Sequence, residues 1–529
     1  MLRVKFITIQ LPIFKGYVDM LRTGKQYLRA IRDERQVFLG GELVKDVTKH
    51  SAFRNAAASM AGLYDITSDP TNLDSLTYCE KETNEQCNEI FLRPRSIPDL
   101  AKRRRVHEAW ANSTWGLMGR APDHVAAFIT GMACMPNIAD KHDQGFGKNL
   151  VNYWRHIRDN DLNLTYAVVP PAGARGTEAV ATPVGGPSGD SDWGDNAGLR
   201  VTKENDNGVT VWGFKILATG AILADEMLIG NVLPLSPGQE KSAITFGIPV
   251  STPGVKILSR RSYEDLSVSR IDDPLASRYD ETDAVIFCDN VHIPWERVFA
   301  HNHIDTARDI FYDTPAHTLG NAQAHIRLLS KMRLMLGVIK KVSEVNGLSS
   351  IPAVRDKLYE LAVRVAMVEG LLEGQQSTPE IWPDGYVSQK RQTMYATMSW
   401  TMEYYPQFVS DIRELLGSHP FQQPANSSVF TNDATKNIFE SFYLAPVEEA
   451  VEKYKLFKLA WDLVGTEFAS RHTQYEMFYA GPKHVTRGRL GFYFNWDIVD
   501  EQAAKAMDSI GGFKDVAGES QKNSYKIEQ

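Results

Sequence analysis

The sequence predicts an α+β protein built as three successive regions: helical, β-rich, then helical again. Three observations lead there. PDLAKRRRVHEAWANSTWGLMG and DHVAAFITGMACM carry apolar residues at mixed three and four spacing, which is the helical period. Between residues 166 and 300 the short runs VTVWGFKIL, EMLIGNVL, SAITFGIPV and DAVIFC are punctuated by Gly, Pro, Asp and Asn, as β-strands are. Beyond residue 305, HTLGNAQAHIRLLSKMRLMLGVIKKVSEV, AVRDKLYELAVRVAMVEGLLEGQQ and SQKRQTMYATMSWTMEYYPQFVSDIRELLG are each long enough to cross a helical bundle. The expected division is a tail over 1–19, a helical domain over 20–165, a β domain over 166–304, a helical bundle over 305–485 and an extension over 486–529.

Bulk properties narrow the function classes. At 529 residues the chain has room for two or three domains. Hydrophobic content of 43% and charged content of 23% are ordinary for a globular protein. A net charge of −7 gives no general attraction to nucleic acid or anionic lipid. The basic run Lys102 to Arg105 reads as a solvated or interface face of a helix. No apolar run reaches the ~18–20 residues that span a bilayer. Residues 1–19 are basic and apolar, but Pro12 and Lys15 interrupt them and no small-residue cleavage site follows, so a tail is expected rather than a leader. Cys79, Cys87, Cys134 and Cys288 form no CxxC pair and suit free thiols in the cytoplasm. Pro183 to Asn196 reads as a long polar surface loop or lid.

The densest chemistry lies in WANSTWGLMGRAPDH, Trp110 to His124. GRAPDH reads as a helix ending at Gly119, a turn, and a new helix near Pro122. Arg120 then sits at a helix junction, where a cation among aromatic rings suits an aromatic anion.

This stretch resembles the oxygenase component of the 4-hydroxyphenylacetate 3-monooxygenase family, the reduced-flavin-dependent phenol hydroxylases. Further patches match in order: MLRTGKQYLRAIRD (Met20–Asp33), LTYAVVPPAGAR (Leu164–Arg175), GFKILATGAILADEMLIG (Gly213–Gly230), DNVHIPWERVF (Asp289–Phe299) and GTEFASRHTQYEMFYAG (Gly465–Gly481). They span roughly residues 20–485. The resemblance implies the acyl-CoA dehydrogenase-like fold: an α-helical domain, a central β-barrel-like domain and a C-terminal four-helix bundle. It implies a homotetramer or dimer, FAD delivered as FADH2 by a separate flavin reductase, and O2 as co-substrate, reacting through a C4a-hydroperoxyflavin. No G-x-G-x-x-G in strand–turn–helix context offers a nicotinamide site of the chain's own.

Site residues follow from the same match. Arg120 is expected to stabilise phenolate character. His124 and Tyr166 stand where the hydroxyphenylacetate hydroxylases carry Tyr and His, so a site tuned to another aromatic substrate is expected. Catalytic roles are assigned to Arg120, Tyr166 and His292, the last as the base for the phenol proton, with His301 and His303 as neighbouring competitors. Flavin contacts are assigned to Tyr166, Ala167, Val168, Ala172, Gly173, Ala174, Arg175, Thr219, Phe468, Ala469, Ser470 and Arg471. No metal is expected, because the spacing of His292, His301 and His303 matches no usual ligand pattern. The substrate is a small aromatic molecule, either free or tethered to a carrier protein or coenzyme A. Hydroxylation and attack with loss of halide or nitrite both remain open. Two other classes stay in view: a dehydrogenase of the acyl-CoA type, with Glu467 or Glu476 as its carboxylate, and a non-catalytic flavin carrier. The related 4-hydroxybutyryl-CoA dehydratase needs cysteine ligands for an iron–sulfur cluster that this chain lacks in pattern.

Overall fold

The computed structural model describes residues 21–171 and 197–510. The N-terminal region holds α1 (Gly24–Ala30), β1 (Gln36–Leu39), β2 (Glu42–Val44), α2 (Arg54–Ser68), β3 (Thr77–Glu80), β4 (Glu85–Asn88), α3 (Ile97–Ser113), α4 (Pro122–Cys134) and α5 (Phe146–Asp159). It is less helical than the periodicity suggests. β1 and β2 turn at Gly40–Gly41 and join the central sheet, where β1 runs parallel to a strand more than 200 residues later.

The central strands are β5 (Leu164–Ala167), β6 (Arg200–Asn205), β7 (Gly208–Lys215), β8 (Glu226–Ile229), β9 (Ile244–Pro249), β10 (Val255–Ser259), β11 (Ala284–Pro294) and β12 (Val298–His301). They form two sheets, ordered β2-β1-β10-β11-β7-β6 and β12-β9-β8-β5, rather than one closed sheet. Burial alternates along β7, with Val209, Val211, Gly213 and Lys215 inside, as the two-residue strand period requires. Lys215 is buried and its ammonium donates to the Gly230 carbonyl and to Asn231 Oδ1, both at 2.8 Å, while burial pulls its pKa down to about 7.

The C-terminal region is α6 (Ile304–Tyr312), α7 (Ala316–Val345), α8 (Pro352–Ser377), α9 (Arg391–Leu416), α10 (Lys436–Tyr443), α11 (Val447–Val464), α12 (Glu467–Phe478), α13 (Lys483–Tyr493) and α14 (Trp496–Ser509). Helices α7, α8, α9 and α11 pack on one another as a bundle. The chain beyond residue 485 thus remains helical to Ser509. Residues 1–19, Ala172 to Arg175, the Pro183–Asn196 loop and the last residues from 511 lie outside the described residues.

One junction positions the site. Ser96 caps α3 by accepting from Asp99 N, and the helix ends at Ser113, not at Gly119. Trp115 and Gly116 take left-handed backbone (φ 56° and 66°), which ends the helix early and turns the chain against α7. A Cβ on Gly116 would lie 2.1 Å from the Arg327 carbonyl oxygen, so only glycine fits that crossing. Pro122 then starts α4 in its favoured first-turn position. Every residue of α4 is buried, so Asp123 and His124 in its first turn must find partners inside the protein. The basic run also corrects its reading: Arg103 is buried and donates to the Leu92 carbonyl at 2.9 Å.

Candidate active site

Arg120 is buried at the junction before α4. Its guanidinium donates to the Tyr166 hydroxyl (3.1 Å) and to the Tyr475 hydroxyl, and lies over both rings at 5.4 and 5.1 Å. Burial alone would lower its pKa, but Tyr166, Tyr475 and Glu281 outweigh that and raise it. A Cβ on Gly119 would sit 2.8 Å from the Tyr475 hydroxyl oxygen, so glycine there lets this contact form. No carboxylate pairs with the guanidinium among the described residues. Its partners are phenol oxygens. Glu281 is close, but accepts from the Arg120 backbone N–H (2.7 Å) instead. A permanently charged group kept beside phenols is equipped to hold a phenolate.

His124, one turn on, has its ring 5.6 Å from Tyr166 and 5.2 Å from Phe128. Its Nδ1 lies 3.0 Å from Gln323 Oε1 on α7. Gln323 Nε2 donates to Asp123 Oδ1 (3.0 Å), and Asp123 Oδ2 lies 2.8 Å from His107 Nδ1. His124 Nε2 is buried with no hydrogen-bond partner. Burial, then Arg120, holds the His124 pKa well below the ordinary imidazole range, so the ring is neutral.

A second cluster adjoins through Glu281. Arg471 on α12 pairs with Glu281 (2.9 Å) and doubly with Asp283 (2.7 and 3.0 Å). Arg260 also reaches Asp283 (2.9 Å), and the Thr219 hydroxyl donates to it (2.6 Å). Burial works against the Asp283 charge, but Arg471 and Arg260 hold its carboxyl well below the usual carboxylate range. Thr219 and Arg471, separate expectations from the sequence, therefore share one carboxylate. Thr282, between Glu281 and Asp283, is left-handed (φ 40°), a strained conformation that the two flanking carboxylate contacts hold.

The remaining expected residues divide. Tyr166, Ala167 and Val168 lie on or directly after β5, an edge strand whose outer backbone side is outside the ladder. Phe468 and Ala469 are buried on α12, whereas Ser470 is exposed. His292 does not join the Arg120 cluster. It is exposed, cross-strand from Thr210. The reason is local: a bulge between Cys288 and Val291, with Asn290 at φ 53°, resets the alternation so that Val291 and Ile293 point inward and His292 outward. His301 stacks on Trp295 and approaches Glu204 (3.2 Å). His303 stacks on His142 (4.1 Å) and pairs with Asp143 (3.1 Å). These two histidines line a surface cavity of about 730 Å³ with Trp295, Glu204 and Asp143, away from Arg120. His142, His303 and Asp305 are the one group of metal-ligand type among the described residues, and Lys141 already pairs with Asp305 at 2.7 Å.

Several residues escaped sequence reasoning. Tyr475 lies inside the recognised C-terminal patch, yet spacing gives no hint that it meets Arg120. Gln323, Glu281 and His317 carry no motif at all. His317, against Phe128 at 6.1 Å, accepts from Arg489 at Nε2 (3.3 Å). Glu476 is sealed between Arg327 and Lys331. Burial opposes its charge, but Arg327 and Lys331 bring its pKa down to about 2. It is a structural anion, not a free catalytic carboxylate, and Glu467 is exposed. No cysteine belongs to a ligand cluster among the described residues.

The helices, paired sheets and bundle form an acyl-CoA dehydrogenase-like fold. An archaeal 4-hydroxybutyryl-CoA dehydratase shares the fold (TM-score 0.79, 18% identity, 96% of this chain and 98% of that one). Family models described as the 4-hydroxyphenylacetate 3-hydroxylase N terminal and C terminal match residues 23–300 and 307–508. The chain belongs to that family. Pyoverdin chromophore biosynthetic protein PvcC of Pseudomonas aeruginosa is 31% identical over 470 residues, 88% of this chain and 90% of the relative. A 4-hydroxyphenylacetate 3-monooxygenase oxygenase component of Geobacillus is 29% identical over 463 residues, covering 87% and 91%. The crystal structure of the oxygenase component HpaB, complexed with FAD and 4-hydroxyphenylacetate, superposes with a TM-score of 0.84 at 28% identity, over 92% of this chain and 98% of that chain.

Proposed function

We propose that this chain is the oxygenase component of a two-component monooxygenase that hydroxylates a small phenol with FADH2 and O2. The observation that carries this reading is Arg120: a buried guanidinium held by two phenol hydroxyls and, among the described residues, by no carboxylate. A substrate phenol offers the same oxygen in the same place, and its ionisation is favoured beside a charge that cannot itself be lost. Ring carbons ortho and para to an ionised hydroxyl are the electron-rich positions that an electrophilic oxygen attacks.

The residues present suit a flavin. The outer edge of β5 offers backbone donors and acceptors at Tyr166 and Val168 that match a flavin ring edge, while the Ala167 carbonyl accepts from Gly230 N–H inside the sheet. Thr219 and the Phe468–Arg471 turn would face it from β7's end and from α12, although Arg471 already serves Asp283 and Glu281. Bound reduced FAD supplies the activated oxygen. The protein's own tasks are to orient the phenol, to favour its ionised form and to keep water out; His124, Phe128 and the α4 core supply a dry wall for the last.

The reductase is a separate protein. A homotetramer is favoured by an exposed apolar stripe on α8, Tyr359, Val363 and Met367, spaced one turn apart on one face. Four free thiols suit a reducing cytoplasm. No described helix is long and apolar enough to cross a membrane.

The test is direct. An unrelated flavin reductase with NADH supplies FADH2 to the purified chain, and a panel of phenols is offered under ¹⁸O2. A hydroxylated product carrying one ¹⁸O is the expected result. Flavin oxidation that yields only H2O2 with every phenol contradicts the proposal.

A further inference from the structure

We infer that His124 Nε2 is the acceptor of the substrate's phenol proton, and that Gln323 is the positioning residue that keeps that nitrogen unprotonated. This rests on the phenol-hydroxylase reading above and adds the base, a role the sequence placed at His292.

The argument is one of donors and acceptors. Asp123 Oδ1, buried in the first turn of α4, accepts from the Gln323 amide. Gln323 thus turns its NH2 towards Asp123 Oδ1, at 3.0 Å. That fixes its carbonyl Oε1 against His124 Nδ1, also at 3.0 Å. A carbonyl oxygen accepts, so Nδ1 carries the proton and donates. A neutral imidazole has one N–H, which leaves Nε2 as a bare lone pair. That lone pair is buried and unpartnered, a costly state for a polar atom. His107, at 2.8 Å from the other Asp123 oxygen, holds the carboxylate in place from the far side.

The lone pair is also in the right company. His124 packs on the Tyr166 ring, and the Tyr166 hydroxyl is held by Arg120. A phenol oxygen bound by Arg120 can give its proton to Nε2. The O–H bond breaks, an Nε2–H bond forms, and the electron pair stays on the oxygen as phenolate. Charge is conserved: the new imidazolium and Arg120 flank the new anion. The charged and titratable groups facing His124 are Arg120, Arg327, His107, Asp123 and Tyr166, and the cations among them disfavour imidazolium until the anion is present. His124 is thus a base only when a phenol is bound.

The probe is 4-nitrophenol, whose ionised form absorbs in the visible, titrated against pH while bound to the full-length chain. The wild type should bind it as phenolate at a pH where the free molecule is largely neutral. In His124→Gln, whose amide oxygen can accept a hydrogen bond but cannot keep a proton, the bound dye should ionise at a pH higher by about one unit or more. Gln323→Met should shift the same midpoint in the same direction with a smaller change in affinity, because it removes the lock and not the base. Unchanged midpoints in both His124→Gln and Gln323→Met would overturn the inference. A normal shift in the dye, with no phenol hydroxylated under turnover, would leave the proton acceptor standing and sink the hydroxylase reading.

Discussion

Arg120 and Arg471 are both largely buried guanidiniums that share Glu281, yet they are held in opposite ways. Arg471 spends its donors on two carboxylates, Glu281 and Asp283. Arg120 touches Glu281 only with its backbone N–H, and offers its guanidinium to tyrosine hydroxyls. Most other buried arginines follow Arg471: Arg22 pairs with Asp225, Arg35 with Asp33, Arg158 with Glu80 and Arg327 with Glu476. A buried cation with its own anion is a finished structural part. Arg103 and Lys215 are also buried without a carboxylate, but backbone carbonyls accept from them, whereas Arg120 offers its guanidinium to tyrosine hydroxyls, the oxygen type a phenolic substrate carries.

The sharpest way to break the comparison is to cut a finished pair. Glu476→Gln leaves Arg327 and Lys331 buried without their anion, and we expect about 3–5 kcal/mol of lost stability in denaturant titration. Arg327→Met should cost a similar amount. Arg120→Met should cost far less in the same titration, because no partner charge is stranded. Equal losses in the two variants would erase the distinction.

Acid should act on the same core. Burial holds the folded-state pKa of His325 down to about 4, against an ordinary value of 6.5. Between those values the unfolded chain binds a proton that the folded chain does not, so the stability contributed by His325 falls as pH drops from 6.5 towards 4. Glu476, at about 2 in the folded state against 4.5, adds a further loss below about 4.5. Asp161, Glu89 and Glu264, raised by burial to about 7, act in the opposite direction over this range, so the test is a difference: His325→Phe should lose less melting temperature than wild type between pH 6.5 and 4. Equal slopes in the two proteins would contradict the His325 assignment.

Smaller effects sharpen the picture. Thr219→Val removes one hydrogen bond to an Asp283 already held by two arginines, so about 1 kcal/mol is expected from calorimetry. His292→Ala, at an exposed strand position, should leave stability within about 0.5 kcal/mol and product yield unchanged. A large fall in yield would return His292 to the site.

Much of the architecture was legible in the sequence, because helical and strand periods report burial on one face. The long bundle helices fall within a few residues of their expected ends. What escaped was non-local or conformational. Nothing in Gln36–Leu39 announces a parallel partner at Val255–Ser259. The end of α3 at Ser113 depends on left-handed backbone at Trp115, which no helix-stop residue marks. The site divides likewise. Arg120, His124 and Tyr166 were legible because they stand within recognised patches, and the structure brings them together. His292 stands apart from the Arg120 cluster because a one-residue bulge inverts every side chain beyond it. Gln323 and Glu281 were invisible because their meaning is a contact across some 160–200 positions of chain.

The central claim is that the Arg120 charge is kept for the substrate, and Arg120→Met tests it most directly. With FADH2 and O2 supplied, product and H2O2 are measured together alongside the affinity for FADH2. We expect product yield to fall about 100-fold, H2O2 to rise to match the flavin consumed, and FADH2 affinity to hold. Normal product yield from Arg120→Met would contradict the claim outright.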